Sequence, residues 1–242
     1  MTSGMTVRVA MWSGPRNIST AMMRSFGARP DTVVVDEPLY AHYLAETGLD
    51  HPGRTEILDS QPRRWQDAVA GLLAPVDAAV FYQKHMTHHL LTRIGRDWLG
   101  QVSNAFLIRD PAYVVASYAK VRGEPTLEDL GYPQQVEIFR SYGGPVVDAA
   151  DVLRDPAGTL SALCAALGLD WDPAMLSWPA GRRDTDGVWA PHWYAAVERS
   201  TCFAPYDPKP ADVPAHLRDL VERARPLYDE LATAALRAGR TG

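Results

Sequence analysis

Cysteine is scarce in this chain of 242 residues: only Cys164 and Cys202 are present, far apart and in unlike contexts. A disulfide framework and a cysteine metal cluster are both excluded, and the usage suits a reducing compartment. Basic excess is missing as well. The net charge is −5, whereas general nucleic-acid binding needs a basic face, so no nucleic-acid partner is expected. No apolar run approaches the roughly 18 residues of a membrane span. Met1–Thr6 is too short and too polar for a signal peptide. A cytoplasmic protein is the expectation. Repeats, low-complexity tracts and long polar linkers are also lacking, so residues 1–242 read as a single domain. With 46% hydrophobic residues, that domain can bury a substantial core.

What the chain does have is alternation. Val7–Trp12, Thr32–Val35, Ala78–Gln83, Asn104–Ile108 and Pro145–Asp148 read as short buried strands. Helical patterns separate them at Asn17–Gly27, Leu39–Glu46, Pro62–Leu73, Ala112–Arg122, Pro133–Tyr142 and Ala157–Leu167. An apolar helix is expected through Leu90, Leu91 and Ile94, and a long one over Val213–Gly239 that must accommodate Pro226. Gly48–Thr55 and Gly181–Pro214 read as loop or irregular chain. Strands alternating with helices give an α/β fold: a central parallel sheet of about five strands between two helical layers.

Ligands of such a fold bind beyond the carboxyl ends of the strands. Four of these ends are polar or charged: Ser13–Thr20, Asp36–Pro38, Lys84–His89 and Arg109–Pro111. The first is a strand–turn–helix containing Gly14, Pro15, Arg16, Asn17, Ile18, Ser19 and Thr20. Unpartnered N–H groups at a helix start, the helix dipole and an arginine together make an anion site. At the fourth strand end, Asp110 is placed to cap a helix and Pro111 to begin it. Arg109 stands eight residues before Ser117, a spacing that lets a guanidinium and a helical hydroxyl converge on one anion, while the plainer reading pairs Arg109 with Asp110 or another carboxylate and makes Ser117 a small helix residue.

Together these stretches resemble the sulfotransferases that use 3′-phosphoadenosine 5′-phosphosulfate (PAPS), a P-loop-like three-layer fold. The run Arg16-Asn17-Ile18-Ser19-Thr20 matches that family's loop for the 5′-phosphosulfate. Arg109-Asp110-Pro111 with Ser117 matches its motif for the 3′-phosphate. A third match covers Val146–Pro156 and Leu167-Gly168-Leu169. The resemblance implies PAPS as donor, 3′,5′-bisphosphoadenosine as product and no metal. It implies that Gly14–Thr20, Arg109 and Ser117 bind the donor. Ile18 stands where the family usually has glycine, and Ala21 where an aromatic often stacks on adenine. The Arg-Lys-Gly element near the C-terminus of many animal members is absent, with Arg182-Arg183 or Arg199-Ser200 as the nearest substitutes.

Sulfuryl transfer to a hydroxyl or amine requires a base. By resemblance the candidates are Glu37 after the second strand, favoured, then His85 after the third, then His88. Lys84 is the candidate to stabilise the sulfuryl charge. Plainer readings are Glu37 as a cap of the following helix and His88 or His89 as a satisfied helix histidine. The acceptor is expected to be a small molecule lodged among Tyr40–Tyr43, Gly123–Tyr132 and Gly181–Phe203, and a homodimer is allowed. The alternatives are an ATP-dependent small-molecule kinase and a non-catalytic nucleotide-binding member of the family. Against the kinase, the first loop lacks the lysine of Gly-x4-Gly-Lys-Ser/Thr.

Overall fold

A computed structural model describes residues 6–207 and 209–237. Met1–Met5 and the expected end of the last helix at Gly239 lie outside the described residues. Five strands, β1 (Val7–Ser13), β2 (Thr32–Asp36), β3 (Val80–Met86), β4 (Ser103–Ile108) and β5 (Val146–Asp148), form one sheet in the order β2-β3-β1-β4-β5. Every pairing is parallel, so all five carboxyl ends open on one edge. The α/β expectation holds, and β1 lies centrally with its loop between the ends of β3 and β4.

The helices are α1 (Ser19–Gly27), α2 (Tyr40–Thr47), α3 (Arg54–Ser60), α4 (Trp65–Leu73), α5 (Pro111–Arg122), α6 (Leu127–Leu130), α7 (Tyr132–Tyr142), α8 (Ala149–Arg154), α9 (Pro156–Ala166), α10 (Ala190–Trp193), α11 (Ala195–Glu198) and α12 (Arg218–Thr233). Side chains alternate between sheet faces. Val9, Met11 and Tyr82 pack with Met22 and Phe26 of α1 and with Leu160 and Leu163 of α9. Ala10, Trp12 and Phe106 face the other way, toward Leu72 of α4, Val136 of α7 and Leu231 of α12. Burial on both faces explains why the strands read as continuous apolar runs.

Two expectations fail between residues 80 and 101. The third strand runs on through Lys84, His85 and Met86, because β1 offers ladder partners as far as Ser13 opposite Met86. The apolar helix through Leu90, Leu91 and Ile94 does not form; short 3₁₀ turns at Thr87–His89 and Asp97–Gln101 flank a turn there. Leu90 and Ile94 are buried nonetheless, so their hydrophobicity reflects packing and not helical periodicity. A further helix, α3, starts at Arg54, at the end of the expected Gly48–Thr55 loop, and α12 begins only at Arg218. Cys164 and Cys202 are both free. Among the described residues no helix is long and apolar enough to cross a membrane.

Candidate active site

Gly14 follows β1 because no larger residue fits. A Cβ there would lie 2.2 Å from the Leu130 carbonyl oxygen, at the end of α6. The buried Asn17 amide donates to the Leu107 carbonyl at 2.9 Å and pins the loop to β4. Thr87 Oγ1 donates to the Ser13 carbonyl at 2.9 Å, and Gln135 Nε2 donates to the Trp12 carbonyl at 3.0 Å. These bonds hold the turn from three sides.

Ile18 resolves the departure noted in the sequence. Its φ is +52°, so it occupies the left-handed conformation for which glycine is suited. The backbone geometry of the motif is kept and its cost accepted, about 1–3 kcal/mol for a β-branched residue. The Ile18 carbonyl accepts from Met22 N–H and starts α1, but its side chain supplies no cap. The N–H groups of Ser19, Thr20 and Ala21 belong to the first turn, which helix geometry leaves without intrahelical acceptors. They are the backbone half of a candidate anion site.

The arginine half lies beside it. Arg16 Nε donates to Ser117 Oγ at 2.9 Å, and Arg109 Nη1 donates to the Arg16 carbonyl at 2.7 Å. Arg109 and Ser117 are thus both brought to Arg16, about a hundred positions away in sequence. Tyr132 OH donates to the Arg109 carbonyl, and Arg109 lies over the Tyr113 ring at 5.7 Å. Burial, reinforced by the like charge of Arg16, pushes the Arg109 pKa below its ordinary value. Two crowded cations held by neutral partners favour an incoming anion.

Beyond the loop is a cavity of about 150 Å³ lined by Pro15, Arg16, Ser19 and Thr20 on one side and by Glu37, Lys84, His88 and His89 on another. Lys84 is fully buried. Its Nζ donates to Asp36 Oδ1 at 2.8 Å, Glu37 Oε1 at 2.6 Å and Tyr194 OH at 2.8 Å. Burial acts against the ammonium, but Asp36 and Glu37 outweigh it and hold its pKa well above the ordinary lysine value. Asp36 is committed to internal partners: Tyr194 OH and Gly187 N–H donate to its Oδ2 at 2.7 and 3.1 Å. Glu37 follows β2 with φ +41°. Its carboxyl pKa is raised by burial, and by the neighbouring Asp36 charge, despite Lys84. Its side chain does not serve as the expected helix cap; α2 begins without a side-chain cap bond.

The histidines separate by strand parity. Lys84 faces the cavity, so His85 points through the other face of the sheet. There it stacks on Trp12 with ring centroids 4.2 Å apart and meets Gln83 Oε1 at 3.3 Å. Burial, with Lys84 adding to it, pushes its pKa down to about 3. This placement corrects the expectation of His85 as a base: it is a neutral core residue outside the cavity. His88 does reach the cavity, from a 3₁₀ turn and not from a helix. His89, which was not a candidate base, is sandwiched between Tyr40 and Tyr43 at 4.5 and 4.6 Å, with Nδ1 3.9 Å from Glu37 Oε2. Burial first, then its cationic and histidine neighbours, keeps it neutral.

The aromatic segments expected around an acceptor are partly there. Tyr40, Trp193 and Tyr194 line the cavity with Tyr118. Trp189 lies behind Tyr194 and donates to its hydroxyl at 3.1 Å, while Phe203 packs on Trp178 away from the cavity. The expected substitutes for the missing Arg-Lys-Gly element do not reach Arg109. Arg183 borders a groove beside β2, and Ser200 pairs with Trp178 Nε1. Arg109 instead opens onto a second cavity of about 380 Å³ that includes Arg154, Tyr206, Tyr228 and Arg237. No group of three or more His, Cys, Asp or Glu able to hold a metal occurs among the described residues.

Comparison with known proteins agrees with this geometry. A family model described as a sulfotransferase domain matches residues 7–235. The chain is 38% identical over 226 residues to branched-chain-amino-acid aminotransferase-like protein 1 of Arabidopsis thaliana, and 34% identical to protein 2 of the same name and organism. Each match covers 91% of this chain and 40% of the relative, so the chain spans well under half the length of those curated proteins. Among solved structures, the sulfotransferase domain of the Synechococcus PCC 7002 olefin synthase shares the fold with a TM-score of 0.55 at 17% identity, covering 92% of this chain and 96% of that one. A sulfotransferase from Alicyclobacillus acidocaldarius does so with a TM-score of 0.56 at 12% identity, covering 96% and 98%. The match of the sulfotransferase-domain model over residues 7–235 makes this protein a member of the sulfotransferase-domain family.

Proposed function

We propose that the protein transfers a sulfuryl group from PAPS to a hydroxyl or amine of a small-molecule acceptor. The observation that carries this is where backbone strain collects. Arg16, Ile18 and Glu37 are the non-glycine residues with positive φ among the described residues; Arg16 and Glu37 line one cavity, and Ile18 lies in the same loop as Arg16, packed on the core directly before the cavity-lining Ser19. Strain of this kind persists where the surrounding structure is committed to a site.

The residues suit a donor with two anionic ends. Arg16 and the first-turn N–H groups of α1 would hold the 5′ side, and Arg109 with Ser117 the 3′-phosphate. The bound donor supplies an activated sulfuryl group attached to phosphate. Glu37 is the group placed to take the proton of the acceptor. Its Oε1 is engaged by Lys84, its Oε2 lies 3.9 Å from His89 Nδ1, and the raised pKa makes it a better base than an exposed glutamate. Lys84 anchors that carboxylate and balances its charge, and His88 borders the same space. The kinase alternative gains no support, since Asp36, the carboxylate best placed for a magnesium ion, is turned to Lys84, Tyr194 and Gly187.

The test is release of 3′,5′-bisphosphoadenosine from PAPS in the presence of a panel of small alcohols, phenols and amines. Glu37→Gln is expected to lower kcat by about 10²–10⁴-fold while affinity for the bisphosphate stays within threefold. Thermal stabilisation by ATP–Mg²⁺ and not by the bisphosphate would refute the reading. Tight bisphosphate binding with no turnover on any acceptor would favour the non-catalytic alternative.

A further inference from the structure

The 3′ side of the site contains an electrostatic difficulty. Arg109 shares its cavity with four carboxylates, Asp110, Asp148, Asp151 and Asp207. Left to themselves, these would neutralise Arg109 or repel a phosphate brought to it. Each has a donor of its own instead. Arg154 holds Asp151 at 2.7 Å, and Lys209 holds Asp207 at 2.8 Å. The other two, Asp110 beside Arg109 in the chain and Asp148 at the end of β5, are held by α12. Arg225 makes a two-pronged pair with Asp110, at 2.8 and 2.9 Å, and Tyr228 OH donates to Asp148 Oδ2 at 2.6 Å. Arg225 and Tyr228 are three residues apart on one helical face, with the guanidinium 5.3 Å from the tyrosine ring. Asp110 also caps α5 by accepting from Ala112 N–H at 2.8 Å, so its carboxylate cannot leave the neighbourhood of Arg109.

We infer that Arg225 is a positioning residue for recognition of the 3′-phosphate: by occupying Asp110, with Tyr228 occupying Asp148, it keeps Arg109 available to an anion. This rests on the reading of Arg109 as a 3′-phosphate ligand. The sequence hid it, because the pairing joins positions 110 and 225 across half the chain and neither spacing nor motif connects them.

The experiment compares binding of 3′,5′-bisphosphoadenosine with that of adenosine 5′-phosphate, which lacks the 3′-phosphate. In the unaltered protein the bisphosphate should bind more tightly. Arg225→Ala should weaken the bisphosphate about tenfold, the order expected for an uncompensated charge a few ångströms from a phosphate, and change adenosine 5′-phosphate by less than twofold. Asp110→Asn added to Arg225→Ala removes the exposed charge while keeping a helix cap, and should restore affinity to within threefold of the unaltered protein. Arg225→Lys should fall between. If Arg225→Ala is poorly folded, the double variant and Arg225→Lys carry the comparison. Equal weakening of both nucleotides, or no rescue by Asp110→Asn, would overturn the inference and leave only a structural tie. An unaltered protein that does not distinguish the two nucleotides would overturn the 3′-phosphate reading itself.

Discussion

His85 should make the fold acid-sensitive without contributing to turnover. It is buried against Trp12 and Trp98, and its pKa is pushed down to about 3. An unfolded histidine titrates near 6.5. Between these values the unfolded chain binds a proton that the folded chain refuses, so stability falls as the pH drops below about 6.5 and the fall levels off near 3. At pH 5 the unfolded state gains RT ln(1 + 10^1.5), about 2 kcal/mol, against about 0.1 kcal/mol at pH 7.5. The folded state gains almost nothing in that interval. His85 alone should therefore remove about 2 kcal/mol of stability on going from pH 7.5 to pH 5.

Replacement by phenylalanine isolates this contribution. The ring keeps the stacking on Trp12 but abandons Gln83 Oε1, a constant loss of about 1 kcal/mol. Urea unfolding of both proteins at pH 7.5 and 5.0 cancels the other titrating groups, His89 included. The His85→Phe protein should lose about 2 kcal/mol less on acidification than the unaltered one. Its kcat at pH 7.5 should stay within threefold. An identical acid loss in the two proteins would refute the burial argument. A kcat reduced a hundredfold in a well-folded variant would restore His85 as the base.

Gly14→Ala should destabilise by about 1–3 kcal/mol, since the new methyl meets the Leu130 carbonyl at 2.2 Å; thermal denaturation would measure it, and bisphosphate affinity should fall with the displaced loop. Arg109→Ala should weaken bisphosphate binding by about 2–5 kcal/mol, measured by titration calorimetry. Asp36→Ala removes one of the two carboxylates that pair Lys84 in the interior and should cost about 3–5 kcal/mol in urea unfolding.

The strands and the first loop were readable because they depend on local rules. A doubly buried strand is apolar wherever it occurs, and Gly14-Pro15 breaks a strand for reasons contained in two residues. The meeting of Arg16, Arg109 and Ser117 followed from one further step, that parallel strands end on a common edge. His85 was misread at a different point. The polar run Lys84-His85-Met86 looks like the end of a strand, but the hydrogen bonds available from β1 carry the ladder three residues further. Inside a strand, consecutive residues face opposite ways, and the identity of the functional residue changes with that parity. Tyr194 lay in a segment expected to be irregular, which instead carries the short helices α10 and α11, and nothing local fixes where that segment rests. A buried pair between Arg24 and Asp186, at 2.6 Å, and the Gly187 N–H on Asp36 do so from more than 150 positions away in sequence.

Ile18 shows why a departure from a motif is not always a departure in structure. Glycine in such a turn is a means to a left-handed backbone, and the sequence exposes the means alone. Here the conformation is imposed from outside: Asn17 is tied to β4, Ser13 to Thr87, and the next residues are already committed to α1. Ile18 also gains by packing against the core formed by α1 and β3. Burying part of an isoleucine offsets on the order of 1 kcal/mol, which is comparable with the strain. Glycine at this position would relieve the backbone but forfeit that packing and add chain entropy to the unfolded state. The two choices are close in stability, so the loop can keep its anion-binding shape with either residue. What cannot be exchanged is Gly14, where the obstacle is an atom and not a preferred angle.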